Sequence, residues 1–329
     1  MISIRGHDGA LTAFREAAVS GRLHHAWLLV GPEGIGKASF AFALAQRLLA
    51  EAAGPPLEGQ GLDVPADHPT AGLLRAGSHP DFKQLQRLVK EPSGELARNI
   101  NVTQIRALQG LLGSTPSMSS RRIVLVDSVD DLEPSGANAL LKNLEEPPAD
   151  CLFLLVSHAP GRLLPTIRSR CRILRFQPLG DADMRAVLGD AMPDASTSEI
   201  ETLVRIGGGA PGRAMHFVGL DLSELEDTMT RLLEQGDPAN AIRVQLARKL
   251  ATKPARARYD AFLARVPGRI AEHARSQRGD ALSGTIAAWE KARALSNSAP
   301  RLTLDPQGVV FELCGLLAAL APGHATAKA

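Results

Sequence analysis

In the stretch VGPEGIGKAS, Val30 to Ser39, the residues Gly31, Gly34, Gly36 and Lys37 follow the spacing G-x-x-x-x-G-K between an apolar run and a helical pattern. Glycines there let backbone amides converge on phosphate oxygens, the helix N-terminus adds positive potential, and the ammonium reaches the outer phosphates. The chemistry is nucleotide binding. In that motif the residue after the lysine supplies a hydroxyl to Mg²⁺. Here it is Ala38, and Ser39, about 100° further round the helix, aims elsewhere. Mg²⁺-dependent binding is therefore expected to be weak or absent, with catalysis impaired more than binding.

Hydrolysis needs a second group at the end of another strand, where an Asp holds the metal and an adjacent Glu can polarise the attacking water. The run IVLVD delivers Asp127 to that place, but the next residue is Ser128, which is no general base. Asp130 and Asp131 follow the strand end and are expected to be solvated or to cap the next helix. Loss of the hydroxyl and of the carboxylate point the same way, to a chain that is not an efficient ATPase.

These groups require a sheet to carry them. HAWLLV, RRIVLVD, CLFLLVS and CRILRF read as strands, while KASFAFALAQRLLAEAA, VTQIRALQGLLGS and SGANALLKNLEE read as helices between them. Strands separated by helices imply a parallel sheet covered on both faces. The segment GPPLEGQGLDVPADHPTAG has Gly and Pro without a helical period and predicts a surface excursion. After FQPLG only helical patterns remain. The expected organisation is an α/β nucleotide-binding domain over residues 1–178, a small helical unit over 179–221 and a helical domain over 222–329, with turns at GDPAN, KPAR and SNSAPR and a frayed tail APGHATAKA.

Composition agrees with this. A chain of 329 residues, 44% hydrophobic but only 4% aromatic, suits two or three helix-rich domains with aliphatic cores. No apolar run approaches the roughly 20 residues of a membrane span, and the first residues lack a signal-peptide core, so a cytoplasmic location without membrane contact is expected. Cys151, Cys171 and Cys314 are too few and too scattered for a disulfide framework or a four-thiolate zinc site. Net charge is +2, yet between Ala241 and Arg301 there are 13 Lys and Arg against 4 Asp and Glu. That stretch is either a face for nucleic acid or a set of amphipathic helices with solvated arginines.

Together, DSVDDLEPSGANALLKNLEEPP (Asp127 to Pro148), LLPTIRSRC (Leu163 to Cys171) and GGGAPGRAM (Gly207 to Met215) resemble clamp-loader subunits of the bacterial DNA polymerase III holoenzyme, within the AAA+ superfamily. HHAWLLVGPEGIGKAS, HPDF at His79 to Phe82, and INVTQIRALQGLL at Ile100 to Leu112 add to the likeness, which spans about residues 1–220 and continues more loosely beyond. It implies an AAA+ parallel-sheet fold, a helical lid and a helical collar domain that packs with other subunits.

The resemblance also implies roles. Arg170, within Ser169-Arg170-Cys171, matches an arginine that projects into a neighbouring subunit's nucleotide site; the plain alternative is a surface arginine paired with a carboxylate. Ser157 holds the place of a polar sensor of the terminal phosphate, or is a strand-end cap. Arg213 matches a second sensor at the start of a lid helix, where APGR is also an ordinary helix start. Asn138 and Lys142, on a helix that faces DNA in related loaders, are candidate phosphate contacts. Gly31, Gly34, Gly36, Lys37 and Asp127 would line a site for ATP or ADP, weakly bound or structural. Many relatives hold zinc with four cysteines in the excursion, but Glu51 to Pro80 has none here. His68, His79, Asp63 and Asp81 match no zinc spacing, so no metal is expected.

The implied function is positional: donation of Arg170 in trans within a hetero-oligomer of motor and delta subunits that places a sliding clamp on primer–template DNA. The rivals are an active motor ATPase that recruits Asp130 or Asp131 as base, and a DNA-binding AAA+ adaptor unconnected with a clamp.

Overall fold

A computed structural model of the chain describes residues 4–19, 23–54, 57–59, 61–92, 94, 96–220 and 222–322. By contact density it divides into two compact units, Met1–Arg213 and Ala214–Ala329. Asp221, where a boundary was expected, and residues 323–329 of the tail lie outside the described residues.

The first unit is built on strands β1 (Ala26–Val30), β2 (Phe82–Gln86), β3 (Arg122–Asp127), β4 (Cys151–Ser157) and β5 (Arg172–Arg175). They form one five-stranded sheet in the order β2-β3-β4-β1-β5, with every pairing parallel. Helices α1 (Asp8–Val19), α2 (Lys37–Ala53), α3 (Pro69–Arg75), α4 (Val102–Arg106), α5 (Leu108–Leu112), α6 (Pro134–Glu145) and α7 (Pro165–Ser169) connect them, followed by α8 (Asp181–Ala191), α9 (Thr197–Gly207) and α10 (Pro211–Met215).

Alternation along the strands divides the core in two, because successive side chains leave opposite faces. Trp27, Leu29, Ile123, Leu125, Leu152 and Leu154 pack with Phe14 of α1 and with Phe40 and Leu44 of α2. Leu28, Val30, Val124, Val126, Phe153 and Leu155 pack on the other face with Ile105, Leu140 and Leu144. The register sets Val30 beside Ser157 and Gln86 beside Asp127, so the strand ends that carry polar groups share one edge of the sheet.

Several elements differ from the expectation. β2 was not anticipated: FKQLQ is an edge strand with only Leu85 buried, so it lacks the apolar run of a central strand. α1 also went unread. The helix expected over VTQIRALQGLLGS is two short helices meeting at Ala107, the first opened by a capping box between Asn101 and Gln104. The excursion contains α3, whose first turn is capped when His68 Nδ1 accepts from the Thr70 N–H.

The second unit contains α11 (Ser223–Gln235), α12 (Ala241–Leu250), α13 (Arg256–Ala274), α14 (Gly279–Leu302) and α15 (Pro306–Ala318). Leu232, Phe262, Val266, Ile270, Val310 and Leu313 are fully or almost fully buried in its core. α14 runs through Pro300 and the expected turn at SNSAPR. Pro300 removes one N–H near the C-terminus of the helix, and the stop comes at Thr303, whose φ of 51° is left-handed.

Candidate functional site

The glycine-rich loop Gly31 to Gly36 joins β1 to α2. Gly34 and Gly36 have φ of 78° and 98°, a region that L side chains rarely adopt. A Cβ on Gly31 would lie 2.6 Å from the carbonyl oxygen of Phe176. Ile35 is buried within the loop, and its carbonyl accepts from His7 Nε2 at 2.7 Å, which makes Nε2 the protonated nitrogen. His7 in turn lies edge-on to Phe176, 4.8 Å between ring centroids, and burial lowers its pKa so that the neutral ring is favoured. No motif announced this residue; it sits ahead of the first helix and meets the loop only through the fold.

Lys37 is buried, and its ammonium donates to the carbonyls of Gly31 at 2.7 Å and Pro32 at 2.6 Å, within its own loop. Burial lowers its pKa from 10.5 to about 8, against the opposing charges of Glu33, Asp130 and Asp127. Ala38 packs toward the core and Ser39 is exposed. The residues therefore fit a backbone cradle for phosphate but offer no hydroxyl for Mg²⁺ after the lysine.

Asp127 closes β3, with its pKa raised by burial against the pull of His158 and Lys37. Ser128 is buried, and its Oγ donates to Asp131 at 3.2 Å. Asp130 is half-buried and does not cap the next helix, which corrects the expectation. Its carboxylate accepts from Ser157 Oγ at 3.0 Å and from the backbone N–H groups of His158 and Ala159. The short 3₁₀ turn over Val129–Asp131 points it back at the end of β4. Asp131 pairs with Arg87 at 3.3 Å, and Glu133 takes the N-cap position of α6. Ser157, fully buried, thus has its hydroxyl committed to Asp130. His158, one residue beyond it, was missed: its Nδ1 is buried without a hydrogen-bond partner, and burial together with Lys37 lowers its pKa.

The edge of the sheet brings together Lys37, Asp127, Asp130, Ser157 and His158. The start of α10 also reaches the loop, where Gly212 N–H donates to the Gly34 carbonyl at 2.8 Å, beside the half-buried Arg213. Asn138, Lys142 and Arg170 stand apart. The first two are exposed, one turn apart on α6. Arg170 caps the C-terminus of α7, half-exposed; its Nη2 is 2.9 Å from Glu145 Oε1 and its Nη1 donates to the Thr166 carbonyl.

In the excursion, Arg47 of α2 is buried and donates to the carbonyls of Leu57, Glu58, Gly59 and Asp63 and to the Glu51 carboxylate. Of the groups weighed as metal ligands, His68 caps α3 and His79 Nδ1 accepts from the Asp81 N–H. The Asp81 carboxylate accepts from the N–H groups of Ser117, Met118 and Ser119 and from Ser119 Oγ. Among the described residues no cluster of His, Cys, Asp and Glu is arranged to hold a metal ion, and no helix is long and apolar enough to cross a membrane.

Among the described residues, six of the thirteen cations in the basic stretch of the second unit form ion pairs. Lys249 and Arg258 meet Glu224, Arg265 and Arg269 meet Glu226 and Glu272, Arg256 meets Asp260, and Arg243 meets Asp237. Glu224, Glu226 and Asp237 precede Ala241, so a charge count begun there leaves them out.

A family model described as "DNA polymerase III, delta subunit" matches residues 6–180. A DNA polymerase III subunit delta' of Pseudomonas aeruginosa is 39% identical over 201 residues, 61% of this chain and 57% of the relative. That of Escherichia coli is 29% identical over 227 residues, 67% of this chain and 62% of the relative. A DNA polymerase III subunit gamma/tau of Mycobacterium tuberculosis is 30% identical over 230 residues, 68% of this chain and 37% of the relative. The matched region spans less than two thirds of each of these relatives. Among solved structures, a DNA polymerase III gamma subunit-related protein of Thermotoga maritima has TM-score 0.41 at 17% identity, covering 94% of this chain and 98% of its own.

Proposed function

This chain belongs to the DNA polymerase III delta-prime family, and from that premise we propose that it acts as the positional subunit of a clamp loader, donating Arg170 in trans to a neighbouring motor subunit. The contrast between two cations carries this reading. Lys37 is buried and bonded to its own loop, whereas Arg170 is half-exposed at the end of a helix. A guanidinium placed at a neighbour's terminal phosphate offsets charge that develops in the transition state and can raise the rate by several orders of magnitude.

Weak or absent hydrolysis at its own site follows from the same residues. Ala38 offers no ligand to Mg²⁺, Ser128 no base, and Asp130 has its oxygens taken by three donors. The motor reading needs Asp130 or Asp131 as base and draws less support for that reason. ATP or ADP held by the loop amides would be a structural ligand, and Lys37 would have to leave Gly31 and Pro32 to meet it. The partners are the motor and delta subunits, with the sliding clamp engaged indirectly; Asn138 and Lys142, exposed on α6, would meet primer–template phosphates. The ion pairs of the second unit neutralise part of its basic stretch and so weaken the case for a DNA face of its own.

The test is reconstitution with motor and delta subunits, clamp and primed DNA. Arg170→Ala is expected to abolish most of the DNA-stimulated ATPase while Lys37→Ala leaves it nearly intact; the reverse pattern overturns the reading in favour of a motor.

A further inference from the structure

Arg170 has two partners, one on α6 and one on its own helix. Its Nη2 lies 2.9 Å from Glu145 Oε1 and its Nη1 donates to the Thr166 carbonyl at 3.1 Å. A guanidinium carries five N–H groups in a fixed fork, so the remaining donors stay available on a side chain that is 36% exposed. Glu145 is itself placed by the fold. It is the last residue of α6, and the carbonyl just before it, of the buried Leu144, accepts from His25 Nε2 at 3.1 Å. His25 immediately precedes β1, so the end of α6 is tied to the central part of the sheet while α7 supplies the second anchor through Thr166.

We propose that Glu145 is a positioning residue for Arg170, holding the guanidinium in the orientation in which it meets a neighbouring subunit's phosphate. This rests on the reading of Arg170 as a donor in trans. An unpaired arginine samples many rotamers, and fixing one of them at the moment of reaction opposes the rate. A fork already held by one hydrogen bond and one ion pair loses less freedom on reaching its target. Exposed ion pairs are weak, so Glu145 tunes the orientation and yields readily when a phosphate arrives. His25 acts one step further back, by fixing the end of the helix that bears Glu145.

The experiment is the steady-state ATPase of the reconstituted loader with clamp and primed DNA, measured at saturating subunit concentration. Glu145→Ala is expected to lower kcat about threefold to tenfold, with a smaller change in KM for ATP. Glu145→Gln, which keeps an oxygen acceptor of the same reach, should lie nearer to wild type than Glu145→Ala does. In an Arg170→Ala background, Glu145→Ala should have no further effect on kcat, an outcome that a merely structural role would not produce. An unchanged or raised kcat for Glu145→Ala, alongside a large loss for Arg170→Ala, overturns the inference and leaves the role of Arg170 standing. A retained rate in Arg170→Ala overturns that role, and the inference with it.

Discussion

Gly212 donates its backbone N–H to the carbonyl of Gly34 at 2.8 Å, and neither residue has room for a side chain. A Cβ on Gly34 would lie 2.7 Å from the nitrogen of Arg213, and one on Gly212 would lie 3.0 Å from the Cα of Gly34. The glycine-rich loop and the start of α10 meet backbone to backbone. Gly34→Ala should therefore cost about 1–3 kcal/mol through left-handed strain and further energy through the clash. Gly36→Ala has similar φ strain, but its nearest neighbour is His7 Nε2 at 3.5 Å, so it should cost less. Urea unfolding of both variants decides it; equal losses would mean that the contact with α10 contributes nothing.

Lys37 sets a pH dependence of stability. Its pKa falls from 10.5 to about 8 on folding, so between those values the unfolded chain binds the proton more tightly. The charge disfavours folding fully below about pH 8, and the penalty fades as pH rises toward 10.5. Lys37→Met should stabilise the protein by about 1–3 kcal/mol at pH 7, with the gain shrinking above pH 8. A gain that does not change with pH, or a loss at neutral pH, would contradict this.

Arg47 does for the excursion what a bound ion could do elsewhere, gathering four carbonyls around one cation. Arg47→Met should cost about 1–3 kcal/mol and expose the segment around residues 57–63 to limited proteolysis. Arg47→Lys should not restore protection, because a compact ammonium cannot reach the same acceptors as a planar fork. Protection kept in both variants would show that the segment is held by other contacts.

Asp81 anchors the loop before β3. Burial would raise its pKa, but three backbone N–H groups and the Ser119 hydroxyl bring it below the usual 3.8. Its contribution is therefore present in full above about pH 4 and lost as pH falls through the lowered folded value. Asp81→Asn should cost about 1.5–3 kcal/mol at pH 7, with the two proteins converging in acid. Thermal melts at pH 7 and pH 3 check this; a difference as large at pH 3 as at pH 7 would count against it.

The parallel alternation was legible because buried central strands such as AWLLV and CLFLLVS are apolar on both faces and stand out in any short window. α2 was legible over its whole length for the same local reason. β2 was not, since an edge strand with one buried residue leaves no such run. The turn expected at Pro300 failed because a proline signal is weighed locally, while burial of Ala292 and Ala299 holds α14 together around it.

By itself the sequence determined which side-chain groups are missing: Ala38 has no hydroxyl and Ser128 no carboxylate, whatever the fold. It also carried the ordered motifs by which the chain resembles DNA polymerase III subunits. Only the tertiary structure decided the partners of the groups that remain. Lys37 turns to its own loop, Asp130 to the end of β4, and Arg170 to Glu145, 25 residues away in the chain. The reason is physical. A residue's functional groups are local properties, but the partners of a charge are set by which elements the sheet and its crossovers bring within hydrogen-bond reach.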